Sequence, residues 1–424
     1  MATVQKFLSV SRSQLSRAPH YTRRYHRGGL GQDVYIVSAA RTPIGSFRGS
    51  LSALPASKLG SIAISAAVDR AGIQAEQVNE VYMGNVLQAG QGQAPARQAT
   101  LGAGLPLSTP STTINKVCAS GMKAVMLASQ GLAVGTNEVM IAGGMESMSN
   151  VPYYLATGRA GFGYGHQTVE DGIVKDGLWD VYNQFHMGNC AEDTAKKYEV
   201  TREAQDEYAR RSYTNSARAT ESGLMEKEII PVTIPGKKGK PDIVVKIDEE
   251  FSKADFTKFP KLRPAFLPAE EGGSVTAANA STLNDGAAAL VLMTDAGLKN
   301  TGAQPLARIV GMADAALAPI DFPTAPVAAM SKVLSLCGLT KDDIAMFEIN
   351  EAFSVVALAN IKLMELDPDR VNVNGGAVSL GHPIGMSGAR LVGHLAHNLL
   401  SGQRGLAGIC NGGGGASAII IERL

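Results

Sequence analysis

Gly286-Ala-Ala-Ala-Leu-Val-Leu-Met293 is matched near the end of the chain by Gly415-Ala-Ser-Ala-Ile-Ile-Ile-Glu422. A second pair occurs in the same order, since Tyr35-Ile-Val-Ser-Ala-Ala40 resembles Arg308-Ile-Val-Gly-Met-Ala313. Short runs rich in Val, Ile and Leu predict strands, and here they alternate with helical patterns. Similar segments in a common order indicate an internal repeat, so the sequence predicts two copies of one α/β unit.

The helices and the middle of the chain refine this architecture. The helix that follows Cys118 carries apolar residues on nearly every side, which is typical of a helix buried between two sheets. In the second copy, a glycine-rich segment around His382 leads into a helix near 389–397. The stretch from about 150 to 273 breaks the pattern with more charge, Gly and Pro. We therefore predict a first half from 33–150 plus 275–303, an inserted loop subdomain from 151–274, and a second half from 304–424.

Composition limits the classes of protein that fit. Of the 424 residues, 45% are hydrophobic and 18% are charged, which is globular rather than disordered. No run of about 18 apolar residues is present, so no membrane-spanning helix is expected. The four cysteines, at 118, 190, 337 and 410, are far apart in sequence. That spacing excludes the common zinc and redox motifs and favours reduced thiols.

Residues 1–32 form a basic leader. They contain six Lys or Arg residues and no Asp or Glu, so the net charge of +1 hides a body with 33 basic and 38 acidic residues. An Arg-rich segment that bears Ser and lacks acids predicts a mitochondrial transit peptide, with cleavage near 27–32. The alternative is a disordered basic tail that touches nucleic acid. We expect import into the mitochondrial matrix.

Asn115-Lys-Val-Cys118-Ala-Ser-Gly121 is the first candidate for chemistry. A Cys at a strand end that opens a helix lies near free N–H groups, which favour its thiolate. The alternative is a small buried hydrophobic residue. Asn372-Val-Asn-Gly-Gly-Ala-Val-Ser-Leu-Gly-His382-Pro-Ile-Gly-Met-Ser-Gly388 makes a glycine-rich bend around one imidazole. That imidazole is suited to deprotonate Cys118. The alternative is that the glycines form a turn and His382 merely completes it.

Two further segments fit the same chemistry. In Cys410-Asn-Gly-Gly-Gly-Gly415 the backbone N–H groups can converge on an oxyanion, and the thiol is a candidate acid or base. A phosphate-binding or plain flexible turn is the alternative. In Asn350-Glu-Ala-Phe353 the asparagine follows a predicted strand, where it either forms a turn or holds a water. Among the remaining histidines, His186 is the candidate for the pocket.

Together these four segments resemble the thiolase family, and the resemblance extends over essentially all of 33–424. It implies an α/β fold in five layers, α-β-α-β-α, built from two repeated halves with a loop domain inserted in the first. It also implies a role for each catalytic residue. Cys118 carries the acyl group, His382 activates it, and Cys410 exchanges the C2 proton. Asn350 holds a water that stabilises the enolate, and Gly412 contributes an oxyanion-hole N–H beside that of Cys118.

The resemblance extends to the binding residues. Contacts with coenzyme A are implied for a set in the inserted subdomain and beyond it: Tyr213, Lys253, Ala254, Asp255, Lys258 and Ser281. His186 and Met187 would cover the acyl pocket, and Phe322-Pro323 would leave room for a 2-methyl branch. Lys253 stands where the family has Arg, so planar guanidinium contacts are not implied. A K⁺ site, with chloride nearby, is implied at Tyr213, Ala277, Ala278, Ala280 and Val378.

The implied reaction is the reversible condensation of two acetyl-CoA to acetoacetyl-CoA and CoA, with thiolysis as its reverse. It would extend to 2-methylacetoacetyl-CoA and serve ketone-body metabolism and isoleucine degradation, with no organic prosthetic group. A homotetramer, a dimer of dimers, is implied, with no nucleic-acid or membrane partner. The nearest alternative is a broad-range 3-ketoacyl-CoA thiolase of fatty-acid β-oxidation. A non-catalytic binding or scaffold subunit with the same fold is the alternative from another class.

Overall fold

We describe the protein from a computed structural model in which residues 31–236 and 239–424 can be described. The predicted leader, 1–32, lies outside these residues except for its last two positions. No helix in these two ranges is long and apolar enough to cross a membrane.

The strands and helices alternate as predicted in both halves of the chain. The strands are β1 (Tyr35–Arg41), β2 (Gly45–Ser46), β3 (Glu80–Gly84), β4 (Ser111–Ile114), β5 (Val139–Ser147), β6 (Tyr153–Tyr154), β7 (Glu170–Asp171), β8 (Trp179–Asp180), β9 (Phe185–His186), β10 (Val232–Ile234), β11 (Ile243–Val245), β12 (Asn284–Met293), β13 (Ala307–Ala316), β14 (Met346–Ile349), β15 (Arg404–Asn411) and β16 (Gly415–Arg423). The α-helices are α1 (Ala56–Ala71), α2 (Pro95–Gly102), α3 (Ser120–Ala133), α4 (Met187–Lys197), α5 (Arg202–Glu221), α6 (Asp295–Thr301), α7 (Ala325–Cys337), α8 (Ser354–Met364), α9 (Ala377–Leu380) and α10 (Ser387–Asn398).

Each half contributes one mixed sheet. The strand order is β4-β3-β5-β12-β1 in the first half and β13-β16-β15-β14 in the second. The pairs β3–β4, β3–β5 and β14–β15 are parallel, and the other pairs in these sheets are antiparallel. The two sheets join where β1 pairs with β13, through Tyr35 opposite Arg308 and Ile36 opposite Ala307. This short edge pairing makes one continuous sheet of the two halves.

The helices form three layers around these sheets. α3 and α10 contact each other and both sheets, and the core between them includes Met122, Met126, Leu391 and Leu395. α1 covers the outer face of the first sheet, and α7 covers the outer face of the second. The layers therefore run helix, sheet, helix, sheet, helix, so the predicted fold is confirmed. The all-apolar pattern after Cys118 identified the central helix correctly.

The internal repeat is visible in backbone detail. The two similar β-segments at Tyr35 and Arg308 are β1 and β13, and each pairs antiparallel with its own partner, β12 or β16. β1 has a register shift between Ile36 and Ser38, and β13 has one between Ile309 and Gly311. These shifts fall at the same places in the matched sequences. A β-bulge re-aims a strand, so both copies use the same irregularity to bend their sheets.

Inserted within the first half, between β5 and β12, the chain from 151 to 274 contains three small strand pairs, α4 and α5. A buried ionic cluster ties this part to both halves. Arg41 of β1 donates to Glu228 at 2.7 Å and to the two carboxylate oxygens of Asp248 at 2.7 and 2.9 Å. His394 of α10 lies 2.9 Å from Glu228. Burial alone would raise the pKa of Glu228, but Arg41 and His394 hold it well below its usual range.

Candidate active site

A cavity of about 620 Å³ lies where the two halves and the inserted part meet. Ten of the predicted site residues line it: Cys118, His382, Gly412, His186, Met187, Lys253, Ala277, Ala280, Ser281 and Phe322. Eight others are not among its lining residues: Asn350, Cys410, Tyr213, Ala254, Asp255, Lys258, Ala278 and Val378. The chain thus brings one nucleophile, one imidazole and one glycine turn to a single pocket from three distant segments.

Cys118 follows β4 on a tight turn just before α3. The residue before it, Val117, has a φ of 47°, a left-handed conformation that a β-branched side chain rarely adopts. Two side chains hold this turn: Asn115 Oδ1 accepts from Val117 N at 2.9 Å, and Ser120 Oγ donates to Val117 O at 2.5 Å. Backbone strain of this kind costs about 1–3 kcal/mol and is typical of functional sites.

The electrostatic balance at Cys118 differs from the sequence prediction. Burial raises the pKa of the thiol to about 11, even though the N–H groups of Gly412 and of Cys118 itself lower it. The predicted stabilisation of the thiolate by backbone donors is therefore present, but desolvation outweighs it. The resting group is a neutral thiol, so its proton must leave as the nucleophile attacks.

His382 is held in one orientation by its own loop. Its Nδ1 lies 2.6 Å from Ser387 Oγ, and Ser387 Oγ donates to the carbonyl of Pro383 at 3.0 Å. Because the hydroxyl hydrogen is used on Pro383, Ser387 accepts from Nδ1–H, and Nε2 carries the lone pair. Burial, followed by the charge of Arg390, lowers the pKa of His382 to about 3. The imidazole is therefore neutral and can accept a proton at Nε2.

Asn350 lies at the end of β14, and its Nδ2 is 3.4 Å from His382 Nε2. Its Oδ1 is buried and has no hydrogen-bond partner among the described residues. The next residue, Glu351, is fully buried and accepts from four donors: Tyr208 Oη, Ser212 Oγ, Asn372 Nδ2 and Val378 N, at 2.8 to 3.0 Å. This carboxylate anchors the strand end and so fixes the position of Asn350.

Cys410 is the penultimate residue of β15, where it pairs with Ala416 across the glycine turn. The thiol is completely buried. Burial raises the pKa of this thiol well above its usual range, and a charge on Cys118 would raise it further. Gly412 faces Val117 and Met187, which would lie 3.6 and 3.4 Å from a Cβ at that position. The turn therefore closes over the nucleophile.

A second contact sets the distance between the two cysteine segments. Lys116, two residues before Cys118, donates to Asp314 Oδ1, to Ser417 Oγ at 2.8 Å and to Ala416 O at 3.1 Å. Lys123 reaches the other oxygen of Asp314 at 2.6 Å. Both Lys116 bonds to β16 lie beside the strand that carries Cys410. This cluster links the nucleophile turn of one half to the Cys410 strand of the other.

The predicted acyl-pocket residues form an apolar wall. His186 stacks on Phe266 with their ring centroids 4.8 Å apart, and Met187 and Phe322 are 7% and 2% exposed. His186 Nδ1 accepts from Gly188 N at 3.1 Å, so the ring caps α4. Burial lowers its pKa, and the ring stays neutral. His186 is therefore part of the wall rather than an acid or base of the site.

The predicted CoA residues divide between the cavity and its rim. Lys253 reaches Ser46 Oγ, and Ser281 Oγ donates to Ala352 O at 2.9 Å. Lys258 is largely exposed and pairs with Asp255 at 3.1 Å, on the turn that follows Lys253. Lys253 lines the cavity, where its Nζ also lies 3.7 Å from a carboxylate oxygen of Glu250, whereas Lys258 is not among the lining residues.

The five predicted K⁺ ligands divide between a buried cluster and the wall of the cavity. Tyr213, Ala278 and Val378 share one buried cluster, and Ala277 and Ala280 line the cavity itself. Within the described residues, the carbonyl oxygens of Ala277, Ala278 and Ala280 accept no hydrogen bond. Uncommitted carbonyls beside a phenol are neutral oxygen donors, which suit a K⁺ ion. No group of three or more His, Cys, Asp or Glu in the described ranges forms a metal site.

The comparisons with known proteins agree with this geometry. Residues 34–296 match the thiolase N-terminal domain, and residues 303–423 match the thiolase C-terminal domain. The chain therefore belongs to the thiolase family.

Among its relatives are mitochondrial acetyl-CoA acetyltransferases. The enzyme of Danio rerio is 66% identical over 98% of this chain and 99% of its own, and that of Homo sapiens is 65% identical over 93% and 91%. Among solved structures, a thiolase from Ascaris suum in complex with coenzyme A has a TM-score of 0.89 at 46% identity, covering 93% of this chain and all of the other. An acetyl-CoA acetyltransferase from Bacillus anthracis gives 0.89 at 40% identity, covering 94% and 100%.

Sequence reasoning missed several residues that shape the site. Glu351, Ser387 and Lys116 each hold a predicted catalytic segment, and none was named as a candidate. Lys116 and Glu351 lie inside the quoted motifs, so their position beside Cys118 and Asn350 was the available signal. Their partners, such as Asp314 and Tyr208, are distant in sequence and become visible only in the fold.

Proposed function

We propose that this protein is an acetyl-CoA C-acetyltransferase that interconverts two acetyl-CoA with acetoacetyl-CoA and CoA through an acetyl-Cys118 intermediate. The observation that carries the proposal is the convergence of Cys118, His382 and the Cys410–Gly412 turn on one cavity. Relatives named mitochondrial acetyl-CoA acetyltransferase, 65–67% identical over nearly the whole chain, support the same activity. Their names also support a mitochondrial location, and we propose the matrix.

The first half-reaction acylates Cys118. His382 Nε2 takes the thiol proton as the sulfur attacks the thioester carbonyl, and the N–H groups of Cys118 and Gly412 stabilise the oxyanion. The tetrahedral intermediate collapses with loss of the CoA thiolate, which takes the proton from His382. Acyl transfer between thioesters is nearly balanced in energy, so the arrangement works in both directions. One oxyanion donor typically contributes about 3–4 kcal/mol.

The second half-reaction forms the carbon–carbon bond. Cys410 is a neutral thiol at rest, so its proton first passes to His382, which is neutral again after the first half-reaction. The Cys410 thiolate formed in this way takes a C2 proton from a second acetyl-CoA, and the resulting carbanion attacks the acetyl group on Cys118. Cys118 leaves as a thiolate and is reprotonated through His382. Burial makes the Cys410 thiolate a stronger base than an exposed one, which suits a weak carbon acid. Asn350, beside His382 Nε2 and with a free Oδ1, would hold the water that stabilises the enolate oxygen.

The remaining assignments follow the shape of the cavity. Lys253 and Lys258 would face the phosphates of CoA, with Tyr213, Ala254, Asp255 and Ser281 near the rest of the cofactor. K⁺ held by Tyr213, Ala277, Ala278, Ala280 and Val378 would order the 276–281 loop, which lines the cavity, and chloride would bind nearby. We also propose the predicted domain division and a tetramer of two dimers. These proposals rest on the positions of the residues and on the family.

A thiolysis series tests the chain-length specificity. We expect kcat/KM to be highest with acetoacetyl-CoA and 2-methylacetoacetyl-CoA and at least about tenfold lower with a C10 3-ketoacyl-CoA. The reason is that Met187 and Phe322 close the acyl end of the cavity. Initial rates with C4, 2-methyl-C4, C6 and C10 substrates provide the measurement, and Phe322→Leu serves as a variant with a wider pocket. Equal activity on C10 would favour the broad-range β-oxidation enzyme.

Monovalent cations test the K⁺ site. In KCl we expect kcat/KM at least about twofold above that in NaCl of equal ionic strength, since a bound ion stabilises the ordered loop. Tyr213→Phe, which removes one oxygen donor, should reduce this difference. Potassium acetate in place of KCl separates a chloride effect. Equal rates in the two cations would remove the K⁺ proposal and leave the acetyltransferase proposal intact.

A further inference from the structure

Glu146 is a charged residue in the middle of the core, at the end of the fully buried strand β5. Its carboxylate accepts four hydrogen bonds, from Val86 N at 3.0 Å, Leu87 N at 3.2 Å, Asn85 Nδ2 at 2.8 Å and Gly385 N at 3.0 Å. Four donors on two oxygens are what an ionised carboxylate requires when it is removed from water. The site is therefore built for an anion.

The donors belong to the two segments that hold the reacting groups. Gly385 lies three residues after His382, in the same loop of the second half. Val86 belongs to the first half, and its carbonyl accepts from Asn115 Nδ2 at 3.3 Å. Asn115 in turn holds Val117, the residue before Cys118. Glu146 therefore connects the His382 loop to the Cys118 turn across the boundary between the halves.

The backbone segments around this connection are too closely packed to admit even an added Cβ. A Cβ at Gly144 would lie 2.0 Å from the carbonyl oxygen of Gly385, and one at Gly121 would lie 2.8 Å from the same oxygen. A Cβ at Gly385 would meet Met145 O at 2.6 Å and Glu146 itself at 2.8 Å. The loop after His382 is thus seated directly on β5 and on the start of α3. Any change in the length or charge of Glu146 must shift that loop.

Glu146 also acts on Cys118 through its charge. The negative carboxylate raises the pKa of the Cys118 thiol, in addition to the effect of burial. Burial raises the pKa of Glu146 itself to about 7, against the lowering effect of the backbone donors of Val86, Leu87 and Gly385. A purely structural carboxylate elsewhere in the core would have no such influence on the thiol. That difference makes the role measurable.

We infer that Glu146 is a positioning residue of the acyl-transfer reaction, which fixes the His382 loop relative to the Cys118 turn across the two halves. The inference rests on the roles proposed for Cys118 and His382. It adds a residue that touches neither the substrate nor the reacting atoms. Glu146 acts through the His382 loop and the Cys118 turn, which it holds in place.

Two substitutions separate its geometric and electrostatic contributions. Glu146→Gln keeps the length but replaces an acceptor with an NH₂ group that faces N–H donors. Glu146→Asp keeps the charge but is one methylene too short to reach Val86 and Gly385 together. We expect both variants to lose roughly 10²-fold in kcat, since a shift of about 1 Å in a reacting pair costs that much. The KM for acetyl-CoA should change less than about threefold, because the pocket wall and rim are elsewhere.

The pH dependence of Cys118 alkylation provides the readout that a structural role would not move. In Glu146→Gln the lost negative charge lowers the pKa of Cys118, so inactivation by iodoacetamide should shift to lower pH. In Glu146→Asp the charge remains, and the profile should stay at the wild-type pH. Glu192→Gln is the matched control, because Glu192 is another buried carboxylate that accepts from backbone N–H groups, those of Ser274 and Val275. It should lower the melting temperature and leave the profile unchanged.

The outcomes are distinguishable. If wild type forms an acetyl adduct on Cys118 while both Glu146 variants keep kcat within about threefold, the inference is wrong and the proposed function stands. If Glu146→Gln shifts neither kcat nor the alkylation profile, the same conclusion holds. If Glu146→Gln does not fold, Glu146→Asp still decides, since full kcat in that variant would contradict the positioning role. Absence of the adduct in wild type would instead overturn the proposed function.

Discussion

Cys118→Ser is expected to abolish both the acetyl-enzyme and the overall reaction. A serine hydroxyl is far less acidic than a thiol, and His382 has its basicity lowered by burial, so the oxygen nucleophile would not be generated. The N–H groups of Cys118 and Gly412 would remain, and with them some residual stabilisation of an oxyanion. We expect kcat to fall by about 10⁴-fold or more, as in other enzymes that lose their covalent nucleophile.

Intact mass spectrometry after incubation with acetyl-CoA checks this directly. Wild type should gain about 42 Da, the mass of one acetyl group in place of a hydrogen, and Cys118→Ser should gain none. Cys337→Ser is the control, because its thiol is partly buried against Val310 and does not line the cavity. An unchanged adduct in Cys118→Ser would assign the nucleophile to another residue. Full activity without any adduct would refute covalent catalysis.

The fold was largely predictable because its signals are local. The matched segments at β1 and β13, and at β12 and β16, carry the repeat in their own residues. The all-apolar helix after Cys118 could lie only between two apolar faces. The edge pairing that joins the two sheets was not predicted, because it involves only two residues on each strand, Tyr35 and Ile36 opposite Ala307 and Arg308.

The site was predictable only in part. Cys118, His382 and Gly412 stand out because glycines and a strand–turn–helix pattern frame them, and the structure does place them at one cavity. Glu146 shows no such pattern, since it is one polar residue in a buried strand, and Glu351 is marked only by its place beside Asn350. The role of each carboxylate becomes visible only from the hydrogen-bond donors that distant segments bring to it. Among the remaining histidines the sequence singled out only His186, whereas the structure places His394 in the ionic cluster with Glu228. The available signal was a titratable side chain in a largely apolar helix, since such a side chain needs a buried polar partner, here Glu228.

The balance of pKa values at Cys118 could not be predicted either. The sequence places the thiol near the start of α3, and from this we expected its thiolate to be favoured. In the fold the thiol is half-buried at the cavity wall, and this burial, together with the charge of Glu146, raises its pKa. Proton transfer therefore belongs to the reaction step. The orientation of His382 by Ser387 therefore matters more than it would if Cys118 and His382 formed an ion pair before the reaction.

Cys410→Ser is expected to separate the two half-reactions. The substitution leaves Cys118, His382 and both oxyanion N–H groups in place, so acylation of Cys118 should persist within about tenfold. Condensation requires a base for the C2 proton, and a serine hydroxyl has a pKa far too high to serve. We expect the rate of acetoacetyl-CoA formation to fall by about 10³-fold or more, because general-base catalysis contributes 10²–10⁴-fold.

Three measurements define this phenotype. The 42 Da adduct and the exchange of labelled CoA into acetyl-CoA report the first half-reaction, and both should be retained. Exchange of the C2 hydrogens of acetyl-CoA with D₂O reports the proton transfer, and it should be lost together with condensation. Cys190→Ser is the matched control, since Cys190 is also a fully buried thiol of the same apolar cluster. It should retain all three signals.

The alternatives give different patterns. If Cys410→Ser loses CoA exchange as well as condensation, Cys410 participates in acylation. Its position two residues before Gly412 would then matter for the oxyanion hole. If C2 exchange survives, another base removes the proton, and His382 is the nearest group able to do so. The rate of thiolysis must fall together with the rate of condensation, because thiolysis returns the same proton through the same transition state. A variant that condensed slowly yet cleaved acetoacetyl-CoA at the wild-type rate, at an unchanged equilibrium constant, would contradict the assignment of Cys410 in both directions.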